Sequence, residues 1–161
     1  MIYDPFIKDR AAGIIYQRDN YPIRRRGTLP LNIVGIEQAV GERIVVELGA
    51  TIAWPNQDFT PSGPYVELRL IPGERIDDTI AGGHIYETGI VLVTVVYSSG
   101  GFSVAAGTLA AQIADLFPKA LRLVTDGGNV LMYAPAAFGT PFQDGAYWRQ
   151  PVRVFYITEP S

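Results

Sequence analysis

Three prolines within ten residues, Pro55, Pro61 and Pro64, exclude a helix from one stretch of this 161-residue chain. Each ring locks φ and removes a backbone donor, and each restricts the residue before it. Gly63 adds a position where φ can turn positive. From Tyr65 a strict alternation takes over: Val66, Leu68 and Leu70 fall on one side, Glu67 and Arg69 on the other. That period of two predicts a half-buried strand with one wet face, ended by Pro72 and Gly73.

Other elements follow from periodicity. Asn32 is a good cap for a helix over 33–49, where Ile33, Ile36, Val40, Ile44 and Leu48 form an apolar stripe interrupted by Gly35 and Gly41. Thr51 to Trp54 fits a short strand. Residues 73–83, with Glu74, Arg75, Ile76, Asp77 and Asp78, read as a long charged loop that is mobile until it meets a partner. His84 to Tyr97 is the longest predicted strand. Its second half, Ile90 to Tyr97, is apolar on both faces, as expected of a central strand covered on both sides by helices or by another subunit. A second helix is predicted over 103–117, with Leu109, Ile113, Leu116 and Phe117 inward and Pro118 as its stop. Asp126-Gly127-Gly128 marks a hairpin between strands in 121–134, residues 135–145 read as irregular, and 147–158 is a closing strand.

The expected fold class is therefore α+β: one mixed, mostly antiparallel sheet of about four to six strands with two main helices packed on it. Residues 1–31 stand apart as an N-terminal arm before a domain over 32–161. The arm mixes Phe6, Ile7, Ile14 and Ile15 with basic residues, including the triplet Arg24, Arg25 and Arg26. Such a segment suits a strand added to its own sheet edge or to a neighbour's. The triplet suits an acidic protein surface or phosphate, although such runs are commonly solvated loops.

Composition narrows the function. The chain has no cysteine, so neither a disulfide framework nor a thiolate metal site is available. No stretch approaches the roughly 18 apolar residues of a membrane span, and Met1 to Pro5 lacks the basic start of a secretory signal. A net charge of −3 disfavours a dedicated nucleic-acid binder. His84 is the sole histidine, so no two-histidine metal site exists. Ser98-Ser99-Gly100-Gly101 before Ser103 lies between a strand and a helix, where phosphate can sit. It lacks the P-loop ending and the G-x-G-x-x-G spacing, and no nucleophile elbow surrounds its serines. No catalytic group, metal or cofactor is expected.

The run Trp54-Pro55-Asn56, then Asp58-Phe59-Thr60-Pro61, then Gly63-Pro64-Tyr65 with a strand behind it, resembles the signature segment of the phage tail terminator family. Gly89 in the long strand, the glycine-rich turn before Ala105 to Phe117, and Asp144-Gly145-Ala146-Tyr147-Trp148 extend the resemblance over about 32–158. It implies a structural virion protein at the head-proximal end of the tail, assembled in the host cytoplasm. Members cap the completed tail tube as a ring, usually of six subunits, and join it to the head connector, with DNA only passing through the lumen. The implied partners are other copies of the chain, the tail tube protein and the connector or stopper protein, with no membrane. Phe6, Ile7, Ile14, Ile15, Phe59, Val91 and Val93 are the residues expected at subunit interfaces, and the 74–78 segment is the expected contact with the tube or connector. The long arm departs from the family pattern. Two other readings stay open: a different phage neck or tail component, and a small-ligand or phosphate-binding module or enzyme at Ser98 to Ser103.

Overall fold

The computed structural model describes residues 33–100, 103–125 and 128–159. In chain order they form α1 (Ile33–Leu48), β1 (Ile52–Ala53), β2 (Tyr65–Asp77), β3 (Ile85–Ser98), α2 (Ser103–Leu116), β4 (Arg122–Thr125), β5 (Gly128–Met132), β6 (Ala137–Phe138), β7 (Phe142–Asp144) and β8 (Tyr147–Glu159). One eight-stranded sheet runs β1-β2-β3-β8-β5-β4, with β6 and β7 also on β8. Only the β1–β2 pair is parallel. The class is α+β as expected, with more strands than the four to six anticipated.

Both helices lie on one face of this curled sheet. Ile36, Val40 and Ile44 of α1 and Ala106, Ala110 and Ile113 of α2, with Phe117 just beyond, pack against Val66, Leu68, Val91, Val93, Val95, Val152 and Val154. The period-two reading of β2 holds, since Val66 and Leu68 are buried there. Each large side chain taken fully from water contributes about 1.5–3 kcal/mol. On α2 the buried stripe starts with two alanines instead of Leu109, which is only half-buried. Small residues let the helix backbone approach the sheet closely.

The main departure is at Pro72. The strand predicted to stop there continues to Asp77, and β3 pairs with it from Ile85 onward. Gly73 to Asp77, five of the eleven residues of the expected 73–83 loop, are thus part of a hairpin strand. A proline needs an edge where no donor is missed, and β1 lines only Val66 and Glu67 of β2's outer edge. The register shift between Pro72 and Arg75 absorbs the irregularity. Pro151 is accommodated similarly inside β8. Its carbonyl accepts from the Gly139 N–H at 2.8 Å, so its missing donor faces the edge that β6 and β7 line only in pieces.

Gly89 sits directly opposite Tyr156. A Cβ at Gly89 would come within 2.5 Å of the Tyr156 hydroxyl oxygen. Tyr156 is fully buried, and its hydroxyl has no partner among the described residues. Burial, then the nearby Glu87 charge, pushes its pKa up to about 12. We expect Gly89→Ala to cost about 1–3 kcal/mol through overpacking. Tyr156→Phe in the same chain should recover much of that loss. Denaturant midpoints of the two single variants and the double variant check this, and strictly additive losses would contradict it.

Candidate functional site

The proline loop is anchored at both ends. Thr51 accepts a backbone hydrogen bond from the Val66 N–H at 2.8 Å, tying the start of β1 to β2. Trp54 then lies against α1, where a Cβ at Gly41 would meet the indole at 2.4 Å and Leu68 at 2.7 Å. The mid-helix glycine is thus the seat of the tryptophan. Asn56 turns the chain at φ 60°. Phe59 folds back onto Tyr65, ring centroids 4.9 Å apart, and Tyr65 meets Tyr147 edge-on at 6.5 Å. Beside this cluster the half-buried Arg149 joins Glu67 across the sheet and Asp144 at 2.9 Å.

Trp54 and Pro55 form a ridge between two concave surfaces. On one side Glu37, Gln38 and Glu42 of α1 face Asn56 and Gln57. Burial raises the Glu37 pKa, opposed by a backbone hydrogen bond at Leu70. On the other side Glu67, Arg69, Leu92 and Thr94 of the sheet face Phe142, Asp144 and Arg149.

The hairpin tip holds the segment expected to meet a partner. Arg75 pairs with Glu87 at 3.5 Å, while Glu74 is exposed and Ile76 half-buried on the strand. Asp77 accepts from the Thr79 N–H at 3.1 Å, the Thr79 hydroxyl at 2.8 Å and the Gly83 N–H at 2.9 Å. His84 Nδ1 lies 2.6 Å from Asp78 Oδ1. The tip is a hydrogen-bonded turn where composition suggested a loose charged loop. It projects one bulky apolar side chain, Ile80.

His84 and Ser98 bracket opposite ends of β3. Fourteen strand steps, on the order of 40 Å, separate them, so the histidine cannot activate Ser98, Ser99 or Ser103. The serines line a pocket with Tyr97, Gln143 and Trp148. Among the described residues no group of three or more His, Cys, Asp or Glu is placed to hold a metal.

The expected interface residues separate into three groups. Phe59 is half-buried in the aromatic cluster. Val91 and Val93 are fully buried in the subunit's own core, so they offer no surface. Phe6, Ile7, Ile14, Ile15 and Arg24, Arg25 and Arg26 lie outside the described residues. The outward face of β3 is carried instead by Ile90 and Leu92, in register with Ile71 and Arg69 on β2 and with Phe155 and Arg153 on β8. Tyr133 adds its ring to Phe155 at 6.1 Å. Sequence reasoning read β3 as apolar on both faces but named Val91 and Val93 for the interface, and it did not single out Phe155 and Ile157, which alternate with the core residues of β8.

A family model described as phage tail terminator protein matches residues 35–156, from α1 into β8. No curated protein matches the chain. Among solved structures, one whose name describes no role is 27% identical, covering 80% of this chain and 93% of its own, with a TM-score of 0.64. A chain of the virion of a native gene transfer agent particle is 16% identical, covering 80% and 96%, with a TM-score of 0.57, a likeness of fold.

The three hydrogen bonds at the tip hold the Asp77 pKa below its ordinary 3.8, those from Thr79 foremost. A depressed carboxylate stabilises the folded turn above its ordinary pKa, and that stabilisation is lost as pH falls through the folded value. The Thr79 and Gly83 amide resonances should therefore titrate together, with a midpoint below 3.8. Asp77→Asn should abolish that titration. A midpoint at or above the ordinary value would refute the turn.

Proposed function

Since the chain belongs to the phage tail terminator family, and is thereby a structural protein of the phage tail, we propose that it caps the completed tail tube as a ring and forms the joint to the head connector. The observation that carries this reading is the family match from α1 into β8, which spans the whole helix-on-sheet body. Physical features support it. A ring needs two different patches per subunit that fit head to tail. The subunit presents an anchored proline loop beside one end of the sheet, a structured hairpin tip at the other, and an apolar row across the sheet face away from the helices. The hairpin tip, with Ile80 at its apex, is the element we assign to the tail tube or connector. The pocket at Ser98 to Ser103 carries no catalytic role in this reading, and His84→Ala or Ser99→Ala should leave tail completion intact.

The arm is assigned to ring assembly. Docking Phe6, Ile7, Ile14 and Ile15 would remove at most several hundred Å² from water, on the order of several kcal/mol gross. Ordering costs of about 1–2 kcal/mol per fixed residue offset most of that, so the arm gains enough only by pairing with a strand edge. The outer edge of β2 beyond Glu67 is one such edge. Sedimentation of the purified chain should give a closed oligomer, and negative-stain images of purified tail tubes should show added density at one end. Deleting residues 1–26 should leave circular dichroism unchanged and lower the oligomer mass. A chain that sediments as a monomer and leaves tube ends bare would refute the ring.

A further inference from the structure

The face of the sheet turned away from the helices is covered at one end by Phe59 and Tyr147 over Tyr65. Further along, two rows lie open among the described residues. Arg69, Leu92 and Arg153 are in register across β2, β3 and β8, and Ile71, Ile90 and Phe155 form the next row. Ile71 is 41% exposed and the neighbouring Tyr133 43%. Arg69 makes no ion pair among the described residues, and exposed Arg153 only donates to the Phe138 carbonyl at 3.1 Å.

On the opposite side of the subunit, α1 turns a second stripe outward, its Gln38 and Glu42 beside Asn56 and Gln57 of the proline loop. Gln38, Glu42 and Val46 follow at four-residue intervals, and Val46 is 78% exposed. Gln38 donates to Glu42 at 2.5 Å, a neutral contact that leaves the carboxylate's charge uncompensated.

We propose that the open sheet face of one copy receives the outward stripe of α1 from a second copy. The proposal rests on the ring reading and names the surfaces that would join. Four residues of helix advance about 6 Å, and two residues of strand about 6.6 Å. A helix laid along β2 and β8 therefore places Glu42 over the arginine row when Val46 meets the Ile71–Ile90–Phe155 row. Arg69 and Arg153 stand two strand spacings apart, roughly 10 Å, which seats one carboxylate between two guanidinium groups. Gln38 then falls over the next row, Glu67, Thr94 and Pro151, beside the Glu67 carboxylate. Charge selects this occupant over the arm, because residues 1–31 carry six basic against three acidic residues and the face is itself lined by arginine. Donor and acceptor stripes lie on opposite faces of the subunit, so the contact propagates head to tail and cannot close as a two-fold pair.

The cysteine-free sequence permits a direct test. With Val46→Cys and Ile71→Cys in one chain, mild oxidation should give a ladder of covalent multimers, while either change alone should give none beyond a dimer. Arg153→Glu should lower the solution mass toward the 17.6 kDa subunit, and Glu42→Arg in the same chain should restore it. Circular dichroism melting confirms that each variant is folded; should Arg153→Glu unfold, the cysteine pair decides alone. A wild-type ring combined with no ladder and no mass change in folded Arg153→Glu would overturn this interface and leave the ring reading standing. A wild-type chain that is monomeric at every concentration and absent from tube ends would overturn both.

Discussion

The structure depends on the unequal covering of β3. Its fourteen residues pair with β2 on one edge and β8 on the other, so the strand is central and its backbone is satisfied by both neighbours. Yet only the side carrying Val91, Val93 and Val95 meets helices. The other side carries Ile90 and Leu92, equally apolar and only half-buried. A two-layer subunit built around a strand with two apolar faces leaves Ile90 and Leu92 without a helix over them, while Val96 on the same face is buried beside Tyr65.

Local choices elsewhere serve that layer arrangement. Gly41 lets Trp54 lie against α1, which fixes where the proline loop leaves the sheet. Gly89 makes room for Tyr156, which lets two central strands pair without a void or a clash. Ala106 and Ala110 bring α2 close to β8. The Glu67–Arg149–Asp144 ion pairs tie β2, β7 and β8 together on the outward face, where the pairs are only partly shielded from water. Such exposure makes them modest in energy; their effect is to set the position of β7 and of the aromatic cluster beside it.

The distribution of surfaces follows from the same frame. Because β3 is long and unbroken, the hairpin tip at Asp77 to His84 and the loop at Ser98 to Gly100 are held at opposite ends of the molecule. At the tip one carboxylate accepts three hydrogen bonds, and Ile80 projects there without a core beneath it. A hydrogen-bonded projection at one end and an apolar row on one face suit a structural protein of the phage tail.

Much of this was legible from sequence. The alternation of Val66, Leu68 and Leu70, the stripe of Ile36, Val40 and Ile44, the hairpin signal in sequence between β4 and β5 and the proline-rich signature segment determined the elements, their class and the family resemblance. These signals are local: a period of two or 3.6, or a proline whose φ is locked, acts wherever it stands. Four matters were decided only by tertiary structure. Pro72 is tolerated inside β2 because, among the described residues, no strand pairs with the adjoining edge there. β6 and β7, two and three residues long, exist only because β8 offers them an edge. Val91 and Val93, rather than Ile90 and Leu92, went to the core because the helices settled on that face, and a strand apolar on both sides carries no local sign of which will be covered. The turn at Asp77 formed because Gly83 returns to it from six residues away, a closure that composition alone reads as a loose charged loop.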